Sequence, residues 1–594
     1  MGRYSVEPYG IRPYSGGMRV HYPRTPHLPW SPGATADDVH ARDLSGLAGR
    51  HVVVTEKMDG ENTTLYRDGL HARSLDSGHH PSRAWVKALH SRIAARIPEW
   101  WRVSGENLFA RHSIPYEDLD GYFYGFSIWD GEQCLDWTST VEFFRGVGIP
   151  TPRVLWSGVF DAKLIQQQVK LDLSRQEGYV VRPSEGFAYT EFAERVAKWV
   201  RPSHVQTDTH WMHAEVVPNK LGARAPFWAV RSGVDVGAGE LTGALSLETP
   251  NDVDDDALTD AYARLDAAGC HGNARLVGAA ASLLHRRPRA ALMADLATSL
   301  EMPTVRRIAD VVGLAPRLHA SFDDEHRRAG LARMAFGTDL GVLHAVAAST
   351  AADTAAAENV TWSLLFAEDS GLLPGSPVQV LRSACREAFA ELPPRAADRC
   401  WGEARQLFAE GRIASPEEAV AATWRWRDGA FPKLHHMVGV SASGKSSTAT
   451  SLAGRANTVL LSLDDLRTAR GSRADQSANR EVLDEALRLL DEALAQGADV
   501  VWDATSLTRQ QRGLVDGVAR RRNALVEHLV HLAPASVVRE RNAQRAHPVP
   551  AKVLDAQLRR FDPPYPGEAH RAVYADTVGE DAAYDVLAYS IWEG

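Results

Sequence analysis

The stretch Leu434-His-His-Met-Val-Gly439-Val-Ser-Ala-Ser443-Gly444-Lys445-Ser446-Ser447 decides the fold of the C-terminal part of the chain. An apolar run of strand type, LHHMVGV, enters a glycine loop that fits GxxxxGK[ST], and a helical run leaves it. In that setting the glycines let backbone N–H groups wrap phosphates, and the helix N-terminus adds its positive dipole end. Lys445 is placed to reach the β and γ phosphates, and the Ser446 hydroxyl suits Mg²⁺. Gly439, Ser443, Gly444, Lys445, Ser446 and Ser447 are therefore expected to hold ATP.

Working outward, TVLLSLD, DVVWDAT and VEHLVHL read as strands alternating with helices, the pattern of a parallel α/β sheet behind a P-loop. After the first of these strands comes Ser462-Leu-Asp464-Asp465-Leu-Arg467. A carboxylate at a strand's C-terminal edge can take the proton of an attacking hydroxyl, which makes Asp464 a candidate general base. Asp503 ends VVWDAT and reads either as a Walker-B-like metal carboxylate or as a turn residue at the sheet end. Together, Asp464 and Arg467 resemble the Asp-x-x-Arg of the phage-type polynucleotide 5′-kinase family. The resemblance implies Arg467 as a binder of RNA phosphate, and Arg541 and Arg545 of RERNAQRAHPVP as lid arginines that close on ATP.

At the other end, HVVVTEK, NTTLY, YFYGFSIW and GYVVRP are short β-like runs between Gly, Asp and Pro turns, as in a mainly antiparallel α+β domain. The first run closes on Glu56-Lys57-Met-Asp59-Gly60, and a lone KxDG is a weak signal. It is followed in order by Ser104-Gly-Glu106-Asn, Tyr122-Phe-Tyr-Gly-Phe126, Glu177-Gly178-Tyr-Val-Val-Arg182 and Val196-Ala-Lys198-Trp-Val-Arg201. The set is similar to the RNA ligase family of covalent nucleotidyltransferases typified by phage nick-sealing ligases. The resemblance implies an ATP-grasp-like fold of antiparallel sheets with helices. It further implies Lys57 as the nucleophile toward the ATP α-phosphate, its amine neutralised by nearby cations or partial desolvation. By the same resemblance Glu106 holds the ribose or orients a metal, Phe126 stacks on adenine, Glu177 binds Mg²⁺ (or Mn²⁺) and Lys198 contacts the α-phosphate. Arg73, on the strand after the nucleophile, is either a contact to RNA 5′-phosphate or a surface arginine. Where the family's last motif carries a second lysine two residues after the first, this chain has Trp199, Val200 and then Arg201.

Between these ends, ARLVGAAASLLHRR and PRAALMADLATSL have helical spacing, so the 594 residues divide into 1–231 (ligase-type), 232–428 (helical) and 429–594 (P-loop kinase-type). The acidic run Asp252 to Asp256 marks the edge of the first linker. Asp252-Val-Asp254 lacks the buried strand of an aspartyl-phosphatase, and Cys270-His271 lacks companion metal ligands, so no 3′-end phosphatase is read in the middle. Four scattered cysteines support neither a disulfide framework nor zinc, and a net charge of −9 excludes a histone-like binder without excluding an enzyme with a local basic groove. The start MGRYSVEPYG has no apolar signal core and no long apolar stretch follows, so the expectation is a cytoplasmic protein without membrane contact.

The whole reads as an enzyme of RNA repair, its partners ATP and RNA with 5′-OH or 5′-phosphate and 3′-OH ends. Two alternatives stand beside it: a small-molecule kinase, and a nucleotide-gated RNA-end-binding protein with an inactive ligase fold. The oligomeric state is not encoded in any of these motifs.

Overall fold

The computed structural model describes residues 19–35, 38–75, 80–202, 216–247, 255–373, 377–470 and 479–576. Asp252 to Asp254 of the acidic linker run lie outside them.

Two antiparallel sheets build the N-terminal region. The first has the order β10-β8-β1-β7, with β1 (His51–Lys57), β7 (Val154–Val159), β8 (Gly178–Pro183) and β10 (Ala197–Val200). The second has the order β3-β2-β4-β5-β6-β9, with β2 (Glu61–Tyr66), β3 (Gly69–Ala72), β4 (Trp101–Asn107), β5 (Phe123–Asp130), β6 (Gln133–Cys134) and β9 (Phe187–Ala188). Val52, Val53 and Val54 of β1 are all buried, because this strand is central in its sheet and covered on both faces. The second sheet packs Leu65, Val103, Phe123 and Ile128 on Val86, Leu89 and Ile93 of the helix Ala84–Ile93 and on Phe144 of the helix Trp137–Val147. Trp129, Cys134, Phe187, Phe192 and Val196 form a separate core against which Val180 of β8 packs, joining the two sheets.

Between Ala225 and Ala422 the elements among the described residues are all helices. Its core takes in Phe227 and Val230 of the helix Ala225–Arg231, so the helical body starts a few residues before Ser232. The same continuous core runs through Trp401 and Phe408 into Val438, Leu525, Val530 and Tyr574 of the C-terminal sheet. That sheet is wholly parallel, in the order β12-β13-β11-β14-β15, with β11 (Lys433–Val438), β12 (Thr458–Ser462), β13 (Asp499–Asp503), β14 (Leu525–Leu532) and β15 (Arg571–Asp576).

The helix Pro394–Ala409 lies across the N-terminal ends of these strands. Arg395 forks onto both Asp499 oxygens at 3.0 and 2.7 Å, Arg399 donates to the Ala524 carbonyl, and Arg405 donates to the His570 carbonyl at 3.0 Å. The helical body therefore covers the end of the sheet opposite the P-loop. Among the described residues no helix is long and apolar enough to cross a membrane.

Candidate active sites

β1 delivers Lys57 at its last position, where it pairs with Gly178, the first residue of β8. Glu177 precedes that strand, and its buried Oε2 accepts a hydrogen bond from Lys57 Nζ at 2.5 Å. Gly178 has no alternative: a Cβ there would stand 1.9 Å from the Trp199 carbonyl oxygen of β10. The absence of a side chain thus lets β10 close on β8, which sets Lys198 opposite Val180 in the sheet that carries Lys57.

Across the cleft the second sheet contributes Glu106 from β4 and Phe126 from β5. Ser104 pairs with Ser127 and Gly105 with Gly125, so Phe126 is the extra residue of a β-bulge, a device that re-aims one side chain. It is the half-buried exception in a strand buried until its last residue; its carbonyl is held by Arg182, and its ring meets Tyr22 edge-on at 5.3 Å. Asp59 of the KxDG motif is buried and engaged by the segment after β4. Its Oδ2 accepts from Ser113 N, Ser113 Oγ and Ile114 N at 2.9, 2.6 and 2.9 Å, which ties the segment after β4 beneath the nucleophile.

The electrostatics differ from the sequence expectation at Lys57. Burial lowers its ammonium pKa, but the carboxyls of Glu177 and Glu106 outweigh burial and the net shift is upward, so the free enzyme holds a charged lysine. Glu106 bears the opposite strain: burial raises its carboxyl to about 8, with Lys57 pulling it down and Glu177 pushing it further up. Lys198 is lowered, first by burial and then by Lys57, with Arg73 contributing. Arg73 itself is exposed just beyond β3. His27, which sequence reasoning missed, pairs its backbone with that of Lys198, and its ring is lowered to about 4 by burial and by that lysine. Arg201 donates to the Leu173 carbonyl, which commits its guanidinium away from Lys198.

In the C-terminal site β11 ends at Val438 and the loop turns through Gly439. Its φ of +148° excludes a side chain, and so does its closeness to β14, since a Cβ there would stand 2.6 Å from the His531 carbonyl oxygen. Lys445 begins the helix Lys445–Ala453, with its Nζ donating to the Val440 carbonyl at 2.6 Å and to Ser443 Oγ at 3.5 Å. The buried lysine thus curls back over its own loop. Ser446 and Ser447 are exposed beside it. Burial lowers Lys445 to about 8, opposed by Asp503, while Arg545 lowers it and Asp464 raises it.

Those four charges therefore share one neighbourhood. Asp503, at the end of β13, is raised by burial and hydrogen-bonded to Ser446, an oxygen pair of the kind that suits a hard divalent cation. Asp464 lies in the first turn of the helix Leu463–Ala469 and accepts from Arg467 Nη1 at 2.8 Å. Arg541 lies in the last turn of the helix Ala535–Ala543. The segment beyond that helix, which carries Arg545, is pinned by Asn542, whose side chain both donates to and accepts from Val549 at 2.8 and 2.9 Å. Gln557, which carried no sequence signal, accepts from the P-loop Ser441 N–H at 2.9 Å.

Residues 50–200 match the RNA ligase family model, and residues 434–564 match the AAA domain model. No curated protein matches the chain. Among solved structures it is similar to a chain of the Pnkp1/Rnl/Hen1 RNA repair complex, at 20% identity over 22% of this chain and 44% of that one, TM-score 0.20. It is also similar to a gluconokinase from Sinorhizobium meliloti 1021, at 25% identity over 25% of this chain and 85% of that one, TM-score 0.20. The Naegleria gruberi RNA ligase with PPi matches at 17% identity over 31% of this chain and 61% of that one, TM-score 0.21. The match thus spans less than two thirds of the repair-complex and Naegleria chains. On one chain, then, a domain of the RNA ligase family at the N-terminus is joined to a P-loop domain of the AAA type at the C-terminus.

Proposed function

We propose that the chain repairs RNA breaks, its P-loop site phosphorylating 5′-OH ends with ATP and its N-terminal site sealing the resulting 5′-phosphate to a 3′-OH. The observation that carries the reading is the convergence at Lys57, where Glu177, Glu106 and Lys198 reach one lysine from the facing edges of two sheets.

In the ligase reaction the Lys57 amine, once deprotonated, attacks the ATP α-phosphorus; an N–P bond forms and pyrophosphate leaves. Lys198 balances charge on the α-phosphate, Phe126 stacks on adenine, and Glu106 orients the ribose as a neutral carboxyl. Glu177 would hold Mg²⁺ or Mn²⁺, whose positive charge would offset the carboxylate that otherwise favours the protonated Lys57 amine. Arg73, exposed beyond β3, meets the RNA 5′-phosphate. In the kinase reaction Asp464 receives the proton of the 5′-hydroxyl as oxygen attacks the γ-phosphorus and ADP leaves. Lys445, Arg545 and Arg541 carry the charge of the transferring group, and Arg467 holds RNA phosphate. Ser446 and Asp503 suit the Mg²⁺ that accompanies ATP, which screens the phosphate charge. Fusion places the second activity beside the product of the first.

The test is incubation of the full chain with α-labelled ATP and Mg²⁺ in the absence of RNA. Label retained covalently by the wild type and lost in Lys57→Ala is the expected result. An unlabelled wild type that still binds ATP overturns the ligase reading.

A further inference from the structure

Beneath the loop that joins β13 to the helix Arg509–Arg521 runs a chain of hydrogen bonds that neither reaction above uses. His528 Nε2 lies 2.8 Å from one Asp516 oxygen, His436 Nδ1 2.8 Å from the other, and His436 Nε2 2.8 Å from Ser506 Oγ. None of the four is more than 5% exposed. Parallel pairing of β11 and β14 sets His436 opposite His528, and the helix supplies Asp516 between them.

The connectivity is that of a Ser–His–Asp triad, yet a serine this buried presents no nucleophile to a substrate. Nor do the two histidines and one aspartate make a closed metal centre, which takes four ligands; their polar atoms stand at hydrogen-bond separation instead.

The end of the chain shows its use. Ser506 has a φ of +48°, a left-handed conformation that a residue with a side chain keeps only where its surroundings hold it. His436 grips its hydroxyl, and Arg512 Nη1 donates to its carbonyl at 3.3 Å. One residue earlier the Thr505 carbonyl accepts the Gly439 N–H of the P-loop at 3.0 Å, and Asp503 opens the same loop. The loop thus touches both halves of the phosphate site, and the histidine chain sets its shape.

We propose that His528, Asp516 and His436 are positioning residues: by fixing Ser506 they hold residues 503–508 so that the Asp503 carboxylate faces Ser446 and the P-loop. The inference rests on the kinase reading of that site, so its test separates the two.

Ser506→Gly and Ser506→Ala are made in the full chain and compared with wild type for melting temperature, phosphoryl transfer to a 5′-OH oligoribonucleotide, and the Mg²⁺ dependence of ATP binding by calorimetry. Glycine is at ease at positive φ, so Ser506→Gly is expected to melt close to wild type. It is nevertheless expected to need about tenfold more Mg²⁺ and to show a kcat lowered about tenfold, with KM for RNA unchanged, because the hydroxyl grip is gone. Wild-type kcat and Mg²⁺ dependence in Ser506→Gly overturn the proposal, as does stoichiometric zinc in the wild type that is lost in His528→Ala. If the wild type transfers no phosphate to RNA, the kinase reading fails while the Mg²⁺ dependence of ATP binding still judges the positioning role: a shift in Ser506→Gly upholds it, and no shift overturns it.

Discussion

Lys57 and Glu106 act on each other across the ligase cleft in opposite senses, and each can be tested separately. The Glu106 carboxyl ordinarily titrates near 4.5 and is raised to about 8 in the fold, chiefly by burial. Between those values an unfolded chain releases the proton while the folded chain keeps it, so the stability tied to Glu106 falls as pH rises through that window and levels off above it. Glu106→Gln removes the titration. Thermal melts are expected to show the variant gaining on wild type from pH 5 to pH 8, and a constant offset across that range refutes the assignment. At the second site Lys445→Ala is expected to cut phosphoryl transfer on the order of 10²-fold or more, since the buried ammonium is the charge nearest the loop. Multiple-turnover assays with labelled ATP measure this directly. Lys57, Glu177 and Lys445 could be singled out as candidates because each sits in a run of contiguous motif residues. The charge state of Lys57 was not legible, since it depends first on Glu177 and then on Glu106, which reach the lysine from distant segments and, for Glu106, from a different sheet.

Among the elements, β8 carries the heaviest burden at the ligase site: Glu177 precedes it, Gly178 admits β10, and Arg182 near its end holds the Phe126 carbonyl. Gly178→Ala must part β8 from β10, a displacement costing about 1–3 kcal/mol by analogy with overpacked cores. Its expected result is a melting temperature lower by several degrees together with weakened covalent adenylation, both read on the same preparation. Phe126→Ala leaves the bulge but removes the ring, so the KM for ATP in adenylation is expected to rise about tenfold, the worth of roughly 1–1.5 kcal/mol of ring contact, while the fold is retained. The strand-like runs made β1, β2, β5, β8, β11, β12, β13 and β14 readable in advance. The bulge at Phe126 was not, because it is a mismatch of register between two strands and is written in neither alone. β15 escaped notice for a related reason: RAVYAD is short and mixed in character, and it becomes a strand by pairing along β14.

For the molecule as a whole, the helical middle is continuous with the P-loop domain rather than a spacer. One apolar core spans both, and three arginines of the helix Pro394–Ala409 bind the N-terminal edge of the parallel sheet. A fragment starting at residue 429 would expose Val438, Leu525 and Tyr574, so it is expected to be insoluble or protease-sensitive, whereas one starting at residue 216 keeps its core. Limited proteolysis of the two fragments decides this. The two active sites are built on separate sheets, so Lys57→Ala is expected to retain 5′-phosphorylation and Lys445→Ala to retain covalent adenylation. Loss of both activities in either variant would mean that the sites are coupled.

The sequence by itself determined the fold class of both ends, because strand runs and phosphate loops are local: neighbouring residues on one strand, turn or helix carry the signal. Only the tertiary structure decided the ionic state of Lys57, the aim of Phe126, the buried chain from His528 to Ser506 and the union of the middle with the kinase-type domain. Each of those arises where segments far apart in the chain meet in a shared low-dielectric interior, and the energies that matter there, desolvation and close packing, exist only once the segments are together.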